Sequence, residues 1–230
     1  MIKIEKGKRI VQSTEQEGVN QWKVFDMRDY DAELRESRVH TLIEESGIGS
    51  RYKNQSWADF NIYNEELKNN AQKIKDFITA LSEGQNRSLW LCGGCGTGKT
   101  FLACLIIKEV TRATARRCRY VKAYQLINMI EASGLNRQEI LDKYSYCYLL
   151  VIDEVADTFN SITKEQSILW QILNERYESK LPVVIVSNLS KDELARFMGS
   201  KLVDRFMENC SSVNFTETGS YRGKRRNTNE

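Results

Sequence analysis

An eight-residue stretch after an apolar run constrains the fold of this chain more than any other feature of its sequence. The stretch fits the phosphate-binding pattern G-x-x-x-x-G-K-[ST], and its residues are Gly93, Gly94, Cys95, Gly96, Thr97, Gly98, Lys99 and Thr100. The apolar run 88–92 before it predicts a strand, and residues 101–107 after it are strong helix formers. A strand, a glycine-rich loop and a helix in this order predict an α/β fold.

The chemistry of this loop predicts a bound nucleotide. Its glycines let backbone N–H groups close around a polyphosphate without a clash from Cβ atoms. The helix that follows directs its positive end at the same anion. We expect Lys99 to hold the β- and γ-phosphates, Thr100 to hold Mg²⁺ through its hydroxyl, and Phe101 to complete the nucleotide contacts. The predicted cofactors are therefore ATP and Mg²⁺.

Further strands and helices alternate along the rest of the chain. Four more strands are predicted at 119–123, 148–153, 182–187 and 212–215, and the uninterrupted apolar runs of the middle two indicate burial on both faces, as in a parallel sheet. Helices are predicted at 29–45, from the N-cap Asn64 to about 81, at 124–132, 135–143 and 164–180, and at 193–207 with a break at Gly199. The predicted fold is a five-stranded parallel sheet flanked by helices.

Composition excludes several classes of protein. The net charge of +3 is too small for a histone-like polycation, and the chain has no run near the roughly 20 apolar residues that span a bilayer. The first residues lack the apolar core of a secretion signal, so we expect a cytoplasmic protein without membrane contact. Cys92 and Cys95 form a C-x-x-C pair, but the chain has no second pair and His40 is its only histidine. Free thiols are therefore favoured over a metal or redox site.

Polar residues at the ends of two predicted strands extend the nucleotide site. Asp153 follows a buried strand directly and suits Mg²⁺ coordination, while Glu154 is placed to deprotonate the attacking water. Asn188, at the end of the next strand, is a candidate for holding that water. Arg205 is either a residue that neutralises phosphoryl charge or a surface arginine, and the spacing leaves both open. Arg222 is a weaker candidate for a second phosphate contact.

The ordered set of motifs resembles the AAA+ ATPases of the DnaC/DnaI bacterial helicase-loader group, which shares its ATPase core with IstB-type transposition helpers. The resemblance runs from about residue 44 to 222. It rests on residues 45–48, 51–52, 56–60, 96–100, 149–154, 187–188, 203–206 and 220–222. Residues 1–45 would then be a short partner-binding segment, and residues 46–230 an AAA+ ATPase domain without a full C-terminal lid.

The resemblance also implies a role for each matched position. It implies Walker A contacts from Lys99 and Thr100, a Walker B pair of Asp153 and Glu154, a γ-phosphate sensor in Asn188, a finger acting across a subunit interface in Arg205, and a second sensor in Arg222. The two helices between the second and third strands resemble the extra helical element of initiator-type AAA+ proteins. Self-association through an ATP-dependent interface is expected on this basis.

Two basic clusters are candidates for contact with single-stranded DNA. The first is the tail 221–226, and the second comprises Arg112, Arg116, Arg117 and Arg119. Tyr120 and Tyr124 lie near the second cluster and could stack on bases if they are exposed. A solvated surface explains the same charges, and only the family resemblance favours DNA.

The predicted function is an ATP-dependent loader that places a hexameric replicative helicase on single-stranded DNA, with DNA-stimulated hydrolysis of Mg-ATP as the switch. An IstB-type transposition helper with a transposase partner is the nearest alternative. Two alternatives of other classes are a nucleotide-metabolism kinase and an ATP-gated adaptor that does not hydrolyse ATP.

Overall fold

The structure of the chain is a computed structural model. It describes the backbone of residues 2–5, 8–12, 22–155, 162–216 and 219, and the side chains of residues 31–155, 166–216 and 219. The chain divides into two compact units, Met1–Thr41 and Leu42–Glu230. Among the described residues, no helix combines the length and the apolar character needed to cross a membrane.

The first unit contains a small antiparallel sheet. Its strands β1 (Ile2–Glu5), β2 (Lys8–Gln12) and β3 (Trp22–Asp26) lie in the order β1-β2-β3, and helix α1 (Met27–Glu44) follows them. The helix agrees with the prediction at 29–45. The strands were not predicted, because short and highly charged segments carry little alternation of apolar and polar residues.

The second unit is built on a five-stranded parallel sheet, as predicted. Its strands are β4 (Ser88–Gly93), β5 (Cys118–Lys122), β6 (Leu149–Asp153), β7 (Val183–Ser187) and β8 (Cys210–Phe215), in the order β5-β6-β7-β4-β8. Every residue of β6 and β7 is buried. This burial is the physical reason for the two uninterrupted apolar runs.

Helices cover both faces of this sheet. They are α2 (Ser50–Lys53), α3 (Glu65–Ser82), α4 (Lys99–Thr114), α5 (Ala123–Ala132), α6 (Arg137–Ser145), α7 (Ile162–Glu178), α8 (Lys191–Met198) and α9 (Ser200–Glu208), with 3-10 turns at Trp57–Asp59 and Gly134–Asn136. One hydrophobic cluster joins the sheet to α3 and α4, and another joins it to α5–α9. Because all five strands are parallel, their carboxyl ends share one edge, where the P-loop, Asp153 and Ser187 lie.

Local signals explain where several helices begin and end. The Asn64 side chain accepts a hydrogen bond from the Leu67 N–H at 2.9 Å and caps α3, as predicted. Gly199 has a φ of +88° and separates α8 from α9 at the predicted break.

One prediction about core packing was wrong. The helical spacing that predicts a buried face of Ile168, Leu169, Ile172 and Leu173 on α7 also predicts an inward Tyr177, and those four residues are buried. Tyr177 is instead 39% exposed, and its hydroxyl lies 2.7 Å from a carboxylate oxygen of Glu208. Its phenolic oxygen finds a polar partner at the surface, which the spacing of apolar residues does not reveal.

Candidate functional site

A cavity of about 270 Å³ opens at the carboxyl edge of the parallel sheet. Its lining combines the P-loop, the ends of β6 and β7, and a segment that precedes α3. The lining residues are Arg51, Tyr52, Gln55, Asp59, Phe60, Cys95, Gly96, Thr97, Gly98, Lys99, Thr100, Phe101, Asp153, Glu154, Val186, Ser187 and Asn188. Asp153, Glu154 and Asn188 therefore lie beside the P-loop, where the sequence analysis placed them.

The P-loop takes a backbone path that favours glycine. Gly93, Gly96 and Gly98 have φ angles of +133°, +77° and +94°. A Cβ atom on Gly93 would lie 2.4 Å from the carbonyl oxygen of Phe215, so β8 approaches too closely for any side chain there. Gly93 and Gly94 form the base of the loop but do not line the cavity.

The Lys99 ammonium group lies inside the loop. Its Nζ donates hydrogen bonds to the carbonyl oxygens of Gly93 and Gly94, each at 2.7 Å. The Thr97 hydroxyl donates to the same Gly94 carbonyl at 3.0 Å. The lysine is thus held at the cavity wall by backbone oxygens, where its positive charge would attract an anion that binds in the loop.

Asp153 is a buried carboxylate with two hydrogen-bond donors. It is 1% exposed, and it accepts hydrogen bonds from the Tyr120 hydroxyl at 2.7 Å and from the Glu154 N–H at 2.8 Å. Burial, and then the negative charge of Asp153, raise the pKa of Tyr120 above its usual range, so the phenol stays a donor. Tyr120 therefore fixes the orientation of Asp153.

Glu154 has an unusual backbone conformation and a cationic partner. Its φ is +55°, in the left-handed region that few residues other than glycine adopt. Its side chain accepts a hydrogen bond from Lys122 Nζ at 2.7 Å, and both side chains are about one third exposed. This hydrogen bond raises the pKa of Lys122. In this geometry the carboxylate of Glu154 forms an ion pair with Lys122, the last residue of β5.

Asn188 is exposed at the cavity rim and contacts the P-loop. Its Nδ2 donates to the sulfur of Cys95 at 3.3 Å. Ser187, the residue before Asn188, holds the end of β7 in place, because its hydroxyl donates to the carbonyl oxygen of Val155 at 3.0 Å. The ends of β6 and β7 are thereby tied together beside the loop.

Arg205 lies away from this cavity. On α9 it lines a different cavity together with Ser88 and Val183, the first residues of β4 and β7. Its guanidinium group donates to the Asn174 side chain at 2.6 Å and lies 5.3 Å from the ring centroid of Tyr177. Arg205 is therefore at the sheet edge opposite the P-loop of its own chain. Arg222 lies outside the residues that the structure describes.

The two cysteines of the C-x-x-C pair have different surroundings. The Cys92 thiol is buried beside the Asn214 side chain, and burial raises its pKa to about 11. Cys95 is exposed. All six cysteines are free thiols.

The predicted second basic cluster is a set of paired side chains. Arg112 pairs with Glu109 at 2.7 Å, Arg117 with Glu45 at 4.0 Å, and Arg116 lies 4.6 Å from the ring centroid of Tyr148. Arg119 donates to the backbone carbonyl of Glu45. Tyr120 is 7% exposed and unavailable for base stacking, whereas Tyr124 is 37% exposed.

Sequence reasoning missed several residues at the cavity. Tyr120 and Lys122 are brought to Asp153 and Glu154 by the pairing of β5 with β6, and strand order cannot be derived from local patterns. Residues 51–52 and 56–60 carry part of the family resemblance without a predicted role, and Gln55 between them was not predicted to be a site residue. Phe60 stacks on Phe101, with ring centroids 5.8 Å apart and planes inclined by 21°.

Comparison with known proteins agrees with these motifs. Replicative helicase loader DnaC of Escherichia coli (strain K12) is 26% identical over 199 residues, which cover 84% of this chain and 79% of that protein. A protein of insertion sequence IS232 from Bacillus thuringiensis subsp. berliner, named for ATP binding, is 28% identical over 208 residues, which cover 86% of this chain and 79% of that protein.

The fold agrees with a solved structure, and a family model matches most of the sequence. The crystal structure of the DnaC helicase loader superposes with a TM-score of 0.67 at 19% identity, over 73% of this chain and 99% of that one. This likeness identifies the fold as that of an AAA+ P-loop ATPase. The sequence model of the IstB-like ATP binding proteins matches residues 12–229. The chain therefore belongs to the IstB-like ATP binding protein family.

Proposed function

We propose that this protein is a Mg-ATP-hydrolysing switch that loads a hexameric replicative helicase onto single-stranded DNA. The observation that carries the ATPase part is the convergence of Lys99, Asp153, Glu154 and Asn188 on one cavity. A cation, two carboxylates and a neutral amide around one volume are the groups that phosphoryl transfer to water needs.

The proposed reaction is attack of water on the γ-phosphorus. A new P–O bond forms, the bond to the β–γ bridging oxygen breaks, and ADP and phosphate are the products. Lys99 neutralises charge on the phosphates, and the Asn188 amide orients the water. Glu154 accepts the proton of that water. Since Lys122 holds one carboxylate oxygen of Glu154 in this structure, we expect release from Lys122 to make the carboxylate more effective as a base.

The residues present fit a magnesium ion. Thr100 offers a hydroxyl and Asp153 a buried carboxylate on the same cavity, and oxygen ligands of this kind suit Mg²⁺. When bound, the ion would neutralise charge that develops on the β- and γ-phosphate oxygens. The contribution of the chain is to fix Asp153 through Tyr120.

Arg205 is proposed to act on the nucleotide of a second copy of the chain. It lines a cavity at the amino edge of the sheet, so it is remote from the P-loop of its own subunit. The contact with Tyr177 and the hydrogen bond to Asn174 hold the guanidinium group in one orientation. Hydrolysis would then depend on self-association. Arg222 stays a candidate second sensor.

The loading function rests on the DnaC relative, and a second function has support of its own. The match to DnaC covers 79% of that protein, and its name as a replicative helicase loader supports a helicase as the partner. Single-stranded DNA is proposed on the resemblance of the motifs. The match to the IS232 protein also covers 79% of that protein, and the family model bears the IstB name. A transposition helper with a transposase partner is therefore the alternative, and residues 1–45 are the proposed partner-binding segment in both cases.

The ATPase proposal is tested with Glu154→Gln. We expect hydrolysis to fall roughly 10²- to 10⁴-fold, the usual contribution of a general base, while ATP affinity stays within about twofold. Labelled ATP is incubated with water, single-stranded DNA or nucleosides, and the products are separated. Transfer of phosphate to a nucleoside would identify a kinase. Normal hydrolysis in the variant would remove Glu154 from the mechanism, and equal, negligible turnover in both proteins would indicate a non-hydrolysing adaptor.

The partner is tested by direct binding. The full chain is mixed with a purified hexameric helicase or a purified transposase in the presence of ATP or ADP, and complexes are separated by size. We expect an ATP-dependent complex with the helicase that also retains single-stranded DNA. Formation of a complex with the transposase alone would establish the alternative function.

A further inference from the structure

The segment between α1 and α3 supplies one wall of the nucleotide cavity. In the proposed function, the phosphates and the metal would lie on the side with the P-loop, Asp153 and Asn188. The lining residues left over include Arg51, Tyr52, Gln55 and Phe60. Because a nucleotide has a nucleoside part as well as phosphates, the sugar and base would then lie against this wall.

One side-chain atom in this wall is buried without a partner. Gln55 Oε1 is shielded from solvent and has no hydrogen-bond partner among the residues that the structure describes. A buried acceptor left unpaired destabilises the folded state, and in native proteins it usually points to a missing ligand or water. Gln55 also lines the nucleotide cavity. The amide would have to turn toward the cavity for a donor on the ligand to satisfy this oxygen, because protein atoms cover it in this structure.

The backbone of Gln55 is held at both ends. Its N–H donates to the carbonyl oxygen of Tyr52 at 3.3 Å, and its own carbonyl accepts a hydrogen bond from Lys108 Nζ. Lys108 is fully buried on α4, and it also donates to the carbonyls of Tyr52 and Lys53 at 3.0 and 3.2 Å. The same helix begins at the P-loop lysine. Gln55 is therefore fixed relative to the phosphate-binding loop.

We infer that Gln55 is the residue that selects adenine, by accepting a hydrogen bond from the exocyclic amino group of the base. Adenine presents an N–H donor at the position where guanine presents an acceptor oxygen. Guanine would bring a second acceptor against Gln55 Oε1. A site built around a polar group discriminates strongly against an analogue that lacks the matching group. Lys108 acts as a positioning residue, through the Gln55 backbone.

The inference rests on the proposed function, in that a nucleoside triphosphate occupies this cavity. Calorimetric titration of the full chain with the Mg complexes of ATP, GTP and purine riboside triphosphate tests it. The last compound lacks only the exocyclic amino group. We expect ATP to bind about tenfold more tightly than purine riboside triphosphate, the effect of one hydrogen bond, and GTP to bind more weakly still.

Two variants locate the effect. In Gln55→Ala we expect the ratio of ATP to purine riboside triphosphate affinity to fall to about twofold or less. In Gln55→Glu, which keeps an acceptor oxygen, the ratio should persist even if every triphosphate binds more weakly because of the added charge. Gln72→Ala, which changes an exposed glutamine on α3, is the matched control and should leave the ratio unchanged.

The outcomes separate the two proposals. Failure of the unaltered chain to bind any triphosphate overturns the proposed function. Equal binding of ATP and purine riboside triphosphate, or a preference for GTP, overturns the role of Gln55 while leaving the ATPase proposal intact. A ratio that survives Gln55→Ala assigns selection of the base elsewhere. The comparison of ligands on the unaltered chain decides the question even if a variant fails to fold.

Discussion

Two lysines on the same helix show how differently a buried ammonium group can be used. Lys99 and Lys108 both lie on α4 and are 7% and 0% exposed. Lys99 Nζ bonds to carbonyls of the P-loop beside an open cavity, whereas Lys108 Nζ bonds to carbonyls of residues 52, 53 and 55. Lys99 can exchange its carbonyl partners for a phosphate that enters the cavity. Lys108 does not line the cavity, so it cannot make the same exchange. Burial therefore does not distinguish a ligand-binding lysine from a structural one, but the position of its partners does.

The largest effect on ATP binding is expected from Lys99→Ala. We expect ATP affinity to fall about a hundredfold, because a charge-assisted hydrogen bond to phosphate contributes about 1.5–3 kcal/mol. The free energy of unfolding should change by less than about 1 kcal/mol, since water in the cavity can replace the ammonium group on the loop carbonyls. Titration calorimetry and urea unfolding measure the two quantities. Unchanged ATP affinity in the folded variant would remove the basis of the nucleotide site.

Lys108→Met should show the opposite pattern. The variant keeps the length of the side chain but leaves the three carbonyls without their donor, so we expect the free energy of unfolding to fall by about 2–4 kcal/mol. Burial lowers the pKa of Lys108, so its ammonium group loses its proton more readily at alkaline pH than an exposed lysine does. The free energy of unfolding is therefore measured at neutral pH. Urea unfolding provides the value. Lys68→Met, at a lysine that is 67% exposed and pairs with Glu65, is the control and should cost less than about 0.5 kcal/mol.

If Lys68→Met and Lys108→Met lowered the free energy of unfolding by the same small amount, the structural role assigned to Lys108 would be contradicted. It would mean that water satisfies the three carbonyls and that residues 50–55 are held to α4 by apolar contacts alone. The binding ratio that Gln55 is proposed to set should weaken in Lys108→Met, while the phosphate contacts of Lys99 persist.

The contrast between the two lysines also marks the limit of sequence reasoning. Lys99 belongs to a local pattern of eight residues whose spacing carries its chemistry, so its role could be predicted. Lys108 and Gln55 are separated by 53 positions, and no short pattern connects them. Tyr120 and Lys122 reach Asp153 and Glu154 across 33 and 32 positions, because β5 pairs with β6. The parallel sheet was predictable from its apolar runs, but the side chains that adjacent strands bring together were not.

A third lysine extends the comparison to the acidic side of the site. Lys122 holds Glu154 at 2.7 Å, with both side chains about one third exposed. Removal of this partner in Lys122→Met should free the carboxylate to act as a base. We expect basal ATP hydrolysis to rise about fivefold, which corresponds to the roughly 1 kcal/mol of a partly exposed ion pair. Lys122→Arg keeps the charge and should stay near the original rate. A lower rate in Lys122→Met would instead mean that Lys122 holds Glu154 in its productive position.

The smallest predicted effect is on the reactivity of a thiol near Lys99. Cys95 is exposed on the P-loop, whereas burial raises the pKa values of Cys92, Cys104 and Cys118 to about 11, 12 and 12. Alkylation at pH 8, followed by peptide mass spectrometry, should therefore modify Cys95 before these three. ATP at about twice its dissociation constant should slow that modification about threefold, because only the unoccupied fraction reacts. The protection should disappear in Lys99→Ala at the same ATP concentration and persist in Lys108→Met, if that variant is folded. Protection that survives the loss of Lys99 would show that the nucleotide covers Cys95 without the ammonium contact, and the distinction between the two lysines would then lose its functional meaning.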